Sequence, residues 1–170
     1  MADHPTTPAE AEDKLWQALK DTRTGMLGLT SVGAQRHLQP MTGFEEPEAK
    51  RLWFFTRDDT DLARDLASGA REAVYTVVTK DAKVYASIAG EIAIRHDRER
   101  IDEYWNPVVA AWYPEGKDDP HLTLLCFELT DARVWLSDKG ALMFMIEVAK
   151  ANMTRRTPDL GERQNVSFLQ

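Results

Sequence analysis

The order of apolar and polar residues along the chain predicts a mainly β protein with about six strands. Runs rich in aromatic, β-branched and other apolar residues, each bounded by turn-forming residues, are typical of strands. Seven such runs, roughly six of them expected as strands, cover residues 26–31, 36–42, 51–56, 73–79, 84–95, 122–129 and 132–137. The second run is the weakest candidate, because Pro40 cannot donate a hydrogen bond to a neighbouring strand. Residues 80–83 have hairpin length, and Thr130 with Asp131 is predicted to turn the chain between the last two strands.

Helices are predicted before, within and after this series of strands. Thr7, Pro8 and Glu10 form a capping box with proline at the first helical position, so a helix should begin there. Further helices are predicted over residues 60–69, over 97–105 and from about residue 138. The last of these carries its apolar residues on one face, at Leu142, Met145, Ile146, Ala149 and Met153.

Strands and helices do not alternate regularly, which disfavours a doubly wound parallel sheet. A closed antiparallel sheet with peripheral helices is the simplest way to protect so many strand edges. No break in composition divides residues 1–170, so we expect one domain. Its core is predicted over about 8–153, with a loose N-terminus and a loose polar tail after about residue 154.

Composition narrows the range of partners. The 28 acidic and 21 basic residues give a net charge of −7, which argues against nucleic acid and anionic membranes as partners. No apolar run approaches the roughly 20 residues of a membrane helix, and no secretory signal is evident. The single cysteine, Cys126, rules out an intrachain disulfide, so a cytoplasmic location is expected.

The chemistry-bearing residues predict no metal site, and they identify no catalytic residue. The four histidines lack metal-ligand spacing, and Cys126 lies in an apolar strand where a buried, inert thiol is expected. Acidic residues in the loop over 114–120 are better explained as a solvated turn than as a cation site. Aromatic residues are frequent in the strands and at helix ends, which fits either core packing or a site for a flat heteroaromatic ligand.

Four segments resemble the general stress protein branch of the pyridoxamine 5′-phosphate oxidase-like flavin-binding proteins. They are residues 52–56 (LWFFT), 97–107 (DRERIDEYWNP), 111–120 (AWYPEGKDDP) and 132–135 (ARVW), and the resemblance extends over about 8–168. It implies a six-stranded antiparallel split β-barrel with peripheral helices that forms a homodimer. It also implies that FMN lies in a groove at the dimer interface. A small-molecule ligand is expected as a further partner.

Carried over to this chain, the resemblance implies nine cofactor-binding positions. Those implied for the flavin ring and ribityl chain are Gln39, Met41, Phe54, Phe55 and Thr56. Thr60 and Asp61 are implied near the phosphate, and Trp112 or Trp135 would cover the ring from the partner chain.

The sequence departs from the family where the phosphate should bind. Gln39 stands in place of an arginine, and Asp61 stands near an expected lysine. Asp58, Asp59 and Asp61 would repel a phosphate if they faced it. Arg57 or Arg64, or the N–H groups of the helix starting near residue 60, could offset that repulsion.

Two functions therefore remain open. The first is an FMN-binding protein, with possible action as a flavin-dependent oxidoreductase on a small molecule. The second is a non-enzymatic ligand-binding or interaction protein on the same barrel, which has lost the phosphate site. Pyridoxal phosphate chemistry is disfavoured, because the sequence has no basic cluster for a second phosphate.

Overall fold

The computed structural model describes residues 6–30, 37–137 and 162–169. Its helices are α1 (Pro8–Thr22), α2 (Asp61–Leu66), α3 (Arg98–Tyr104) and α4 (Pro107–Ala110), with 3₁₀ turns at Pro47–Ala49 and Gly116–Asp118. Its strands are β1 (Thr24–Leu29), β2 (Gln39–Thr42), β3 (Phe44–Glu46), β4 (Arg51–Arg57), β5 (Arg71–Val78), β6 (Val84–Arg95), β7 (Leu122–Leu136) and β8 (Glu162–Ser167). The capping box predicted at the start of α1 is present.

The strands form one antiparallel sheet curled into a half-barrel, which confirms the predicted split-barrel fold class. Their order is β2-β1-β5-β6-β7-β4-β3, with β8 added on β7. The long strand β7 makes this arrangement possible, because its first half pairs with β4 and its second half with β8. Pro40 lies on β2, an edge strand, where a missing backbone donor is tolerated.

The predicted turn at Thr130 and Asp131 is wrong, because β7 runs through both residues as a single strand. Its register with β6 shifts between Ala89 and Gly90, so Thr130 is an extra residue in a β-bulge. The Thr130 hydroxyl donates a hydrogen bond to the carbonyl of Ala89 at 3.1 Å. Such a bulge increases the local bend and twist, and it helps to curl the sheet where a turn was expected.

Two strands were not predicted, so the described part of the chain has eight strands where about six were expected. Three-residue β3 is too short to show a periodic pattern. Strand β8 has the sequence ERQNVS, with Val166 as its only buried residue, so its polarity suggested a loose tail. The predicted helix from about residue 138, with its apolar face, lies outside the described residues.

Strand β4 divides the core because its successive side chains point to opposite sides of the sheet. Leu52 and Phe54 face the larger cluster, which α1 covers. Trp53 and Phe55 face a smaller cluster that includes side chains of α3, of α4 and of the turn after α4. The candidate site lies beside this smaller cluster.

Candidate functional site

A cleft of about 600 Å³ lies between β2 and the end of β4 on one side and the α4 region on the other. This volume is within the range of sites that hold small molecules and cofactors. The lining residues are Arg23, Thr24, Pro40, Met41, Thr42, Phe44, Phe55, Thr56, Arg57, Thr60, Asn106, Val108, Val109, Trp112 and Tyr113. The cleft thus combines aromatic and aliphatic surface with hydroxyl groups and two guanidinium groups.

The end of β4 provides part of the cleft wall. The Phe55 ring packs edge-on against Phe44 and Trp105, with centroids 5.7 and 6.2 Å apart. The buried Tyr113 hydroxyl donates a hydrogen bond to the carbonyl of Thr56 at 2.7 Å. This bond ties the turn after α4 to β4 and fixes the width of the cleft there.

The hydroxyl of Thr60 is occupied by contacts within the protein. It donates to the carbonyl of Arg57 at 2.8 Å and accepts from the backbone N–H of Ala63 at 3.2 Å, as the N-cap of α2. It also lies 3.2 Å from the Thr56 hydroxyl. With its proton already donated, Thr60 positions the turn between β4 and α2.

The buried Tyr75 side chain connects the elements around β2. Its hydroxyl donates to the carbonyls of Arg23 and Met41, at 3.1 and 3.0 Å. Burial raises the pKa of Tyr75 well above its ordinary value, so the hydroxyl stays protonated as a donor. The junction of α1 with β1 is thereby fixed to β2.

The described lining of the cleft holds basic residues and no acidic ones, although the protein is acidic. The basic residues are Arg23 and Arg57. Arg57 forms an ion pair with Asp59, at 3.1 Å, and the hydrogen bond between them raises the pKa of Arg57 and lowers that of Asp59. Asp58 contacts His121 at 2.8 Å, and Asp61 contacts Arg64 at 3.0 Å. None of these three acids is in the described lining of the cleft, although Asp59 pairs with the lining residue Arg57 and Asp58 also acts on the charge of Arg57.

Five of the nine predicted positions line the cleft: Met41, Phe55, Thr56, Thr60 and Trp112. The other four do not. Gln39 is half-buried and contacts the Met41 sulfur, Phe54 is fully buried against Tyr75, Asp61 pairs with Arg64, and Trp135 lies on β7 opposite Tyr85. Phe54 and Phe55 could not both line one cleft, because neighbouring residues of a strand face opposite sides.

The remaining lining residues were missed, apart from Arg57, which was considered as a source of charge. Asn106 is one of them, although Asn106 and Pro107 directly follow the helix predicted over residues 97–105. Its side chain accepts from the N–H groups of Val108 and Val109 at 2.9 and 3.1 Å and so starts α4. No motif or spacing in the sequence indicated Arg23 and Thr24 as site residues, since only the pairing of β1 with β2 brings them to the cleft.

Two other reactive groups lie outside the cleft. The Cys126 thiol is buried, as predicted, and burial raises its pKa to about 11, so it is not a ready nucleophile. Asp58, Asp59 and His121 bring potential metal-ligand atoms within 4.8 Å of one another, on an exposed surface. The ion pair of Asp59 with Arg57 and the contact of His121 with Asp58 account for that arrangement.

Tyr113 gives the fold a testable dependence on alkaline pH. Burial raises its pKa to about 12, whereas an unfolded tyrosine ionises near pH 10. Its contribution to stability is therefore complete below about pH 10 and is lost as the pH rises toward about 12. Tyr113→Phe should lower the free energy of unfolding by about 1–2 kcal/mol at neutral pH, through loss of the bond to Thr56.

Above about pH 10, Tyr113→Phe should lose less stability per pH unit than the wild type. Urea unfolding followed by circular dichroism from pH 7 to pH 11 measures both effects. Tyr85→Phe is the matched control, because Tyr85 is exposed, and it should follow the wild-type curve. Parallel pH curves for Tyr113→Phe and the wild type would show that the tyrosine is not ionised preferentially in the unfolded chain.

The described helices include none that is long and apolar enough to span a membrane.

The curled antiparallel half-barrel with flanking helices and an open cleft has the split-barrel architecture. The family model described as pyridoxamine 5′-phosphate oxidase like matches residues 10–159. The chain belongs to this family, as its motifs indicated.

Relatives place the chain close to the general stress proteins. It is 25% identical over 129 residues to general stress protein 26 of Bacillus subtilis, covering 74% of this chain and 88% of that protein. A crystal structure described as a general stress protein 26 from Jannaschia sp. CCS1 is 35% identical, with a TM-score of 0.78, and the match covers 95% of this chain and all of that one. The general stress FMN/FAD binding protein of Xanthomonas citri is 38% identical, with a TM-score of 0.70, covering 78% and 92% of the two chains.

Proposed function

We propose that this protein binds a flavin, FMN in the first instance, in the cleft and uses it as a redox cofactor for a small molecule. The observation that carries the proposal is the cleft itself, where two arginines and no carboxylate line an aromatic site in a protein of net charge −7. The name of the Xanthomonas citri relative, an FMN/FAD binding protein, supports it.

The residues present fit the chemical parts of FMN. A flat, largely apolar ring system suits the surface formed by Met41, Phe55 and Trp112. The hydroxyl of Thr56 suits a ribityl chain, and a guanidinium suits a phosphate through charge-assisted hydrogen bonds.

The described lining residues contribute binding and orientation. A bound flavin would supply the hydride or electron transfer. No histidine, carboxylate or thiol is present in the described lining, and burial raises the pKa of Tyr113 to about 12. These residues therefore hold no proton that is readily exchanged near neutral pH.

This lining also favours a second candidate function, a flavin carrier without turnover. Such a protein needs a fitted cleft and no acid–base group. Such a carrier keeps the flavin and so differs from a barrel that has lost the phosphate site. Asp58, Asp59 and Asp61, which suggested that loss, lie outside the described lining.

An anaerobic reduction experiment tests the proposal and separates the two functions. Purified protein is titrated with FMN while flavin fluorescence is followed, and the FMN-saturated protein is then mixed with NADH in the absence of oxygen. Saturable binding followed by loss of the visible flavin band faster than with free FMN is expected of a redox protein. Saturable binding without faster reduction would identify a carrier, and absence of saturable binding would overturn both.

We further propose that a second copy of the chain covers the mouth of the cleft, so that the protein is a homodimer. Apolar side chains are exposed there, with 70% of Trp112 and 73% of Val108 accessible to solvent. Large exposed apolar groups of this kind commonly mark contact surfaces. We also propose a cytoplasmic location, in which the thiol of Cys126 stays reduced.

Trp112→Glu should convert the dimer to a monomer and weaken FMN binding at least about tenfold, because a charge would be buried in the contact. Light scattering gives the mass, and the fluorescence titration gives the affinity. Val78→Glu, which places the same charge on an exposed apolar residue away from the cleft, is the control. A wild-type monomer, or a Trp112→Glu dimer, would contradict the proposed contact.

A further inference from the structure

Four charged side chains join α3 to the 3₁₀ turn that follows α4. The Lys117 ammonium lies 2.6 Å from a carboxylate oxygen of Asp102, and the Arg98 guanidinium lies 2.7 Å from one of Asp118. The same Asp102 oxygen is 3.7 Å from Arg98, which also donates to the backbone carbonyl of Lys117 at 3.2 Å. Arg98, Asp102, Lys117 and Asp118 therefore form one continuous ion-pair network, which can contribute more than an isolated surface pair.

This ion-pair network closes the base of the segment that forms one side of the cleft. Asp102 and Lys117 are 15 residues apart in the sequence, and α4 lies between them. Joining the two ends of such a segment restricts the arrangements that the residues within it can adopt. The cleft residues contributed by the segment are Asn106, Val108, Val109, Trp112 and Tyr113.

Helix α3 gives the ion-pair network a fixed point on the sheet. Arg100 of α3 pairs with Glu46 of β3. The Tyr104 ring at the end of α3 stacks on Phe44, with centroids 5.2 Å apart. The turn that carries Lys117 is therefore tied to a helix that is itself held against the sheet.

Helix α4 has few buried contacts of its own. Val109 is the one buried residue of the four in α4, and Trp112, just after it, is 70% exposed. Beyond these, the hydroxyl of Tyr113 fixes the segment through its hydrogen bond to Thr56. Elements with few buried contacts are displaced at a small cost in free energy. Ion pairs at the base of the segment can therefore decide how often α4 is in place.

We propose that the ion-pair network positions α4 and Trp112 for flavin binding, with Lys117 and Asp102 as its central pair. Loss of that pair would lower the fraction of molecules in which this side of the cleft is in place, and the apparent affinity falls with that fraction. This inference rests on the proposed flavin-binding function. It adds a set of positioning residues that lie outside the described lining of the cleft.

Riboflavin is the ligand for the test, because it is uncharged near neutral pH and its binding does not depend on attraction to a phosphate. Its dissociation constant is measured by flavin fluorescence at about 20 mM and at about 1 M salt, where exposed charges are largely screened. Lys117→Met removes the charge and keeps an unbranched side chain, whereas Lys117→Arg keeps the charge. Lys83→Met is the matched control, because Lys83 forms an exposed ion pair with Asp81 and lies outside the described cleft lining.

Lys117→Met should bind riboflavin about threefold more weakly than the wild type at low salt and as tightly as the wild type at high salt. Lys117→Arg and Lys83→Met should match the wild type at both salt concentrations. Hydrogen exchange of the backbone amides of residues 106–113, measured without ligand at low salt, should be faster in Lys117→Met.

Two results would overturn this inference alone. One is weaker binding by the same factor at both salt concentrations, which would show that Lys117 acts through packing and not through its charge. The other is unchanged riboflavin affinity or unchanged exchange in Lys117→Met at low salt. A wild type that binds neither riboflavin nor FMN would instead overturn the proposed function, and faster exchange in Lys117→Met would then show that the network positions α4 on its own.

Discussion

Replacing Thr42 with tryptophan is expected to abolish flavin binding while the protein stays folded. Thr42 is exposed on the edge strand β2, and its side chain lines the cleft. An indole there would occupy the space that the ring or its substituents need, and an edge position tolerates a larger side chain. Affinity for FMN should fall about a hundredfold or more, since a lost ring contact and a steric clash together cost several kcal/mol.

Val78→Trp is the matched control for this substitution. Val78 is 50% exposed on β5 and does not line the cleft, so the added indole should leave FMN affinity unchanged. Fluorescence titration measures affinity, and circular dichroism verifies the fold of both variants. If Thr42→Trp binds FMN as tightly as the wild type, the flavin site lies elsewhere on the protein.

Gly90→Ala is expected to cause a large loss of stability. A Cβ atom at this position would lie 2.2 Å from the carbonyl oxygen of Glu128 and 2.8 Å from the ring of Phe127. The carbonyl belongs to the backbone of β7 beside the bulge, and Phe127 is fully buried, so neither can move freely. The expected cost is about 3 kcal/mol, at the upper end of the usual range for overpacking.

Gly28→Ala separates this effect from the general cost of altering a strand glycine. Its Cβ would meet a methyl group of Leu38 at 2.5 Å, which is also a close contact. Leu38 is 43% exposed, however, and its side chain can turn away. Urea unfolding should therefore show a small change for Gly28→Ala and a large one for Gly90→Ala. Equal losses in the two variants would contradict the role assigned to the bulge.

The fold was predictable where local pattern and tertiary pairing agree. The strand predicted over residues 84–95 has the same first and last residues as β6. Apolar residues recur along this segment, and turn-forming residues precede it. The capping box at Thr7 and Glu10 likewise depends on neighbouring residues alone. Thr130 was misread because a bulge and a turn have the same local polarity, and only the opposing strand distinguishes them.

The candidate site was predictable only in part, for a similar reason. The strand pattern identified β4, yet choosing Phe55 over Phe54 requires knowing which side of the sheet the cleft lies on. Asp61 was expected to lie beside a phosphate, because it stands near the position of an expected lysine. In the structure, Asp61 begins α2 and pairs with Arg64. Arg23 follows a helix as an ordinary polar residue, and the folding of β2 onto β1 is what brings it to the cleft.

A visible absorption spectrum tests the central claim, that this cleft holds a flavin, most directly. The purified protein is incubated with excess FMN, desalted and scanned, with Thr42→Trp carried through the same steps. We predict flavin bands close to one FMN per chain in the wild type and none in the variant. A colourless wild type, or equal bands in both proteins, would contradict the account.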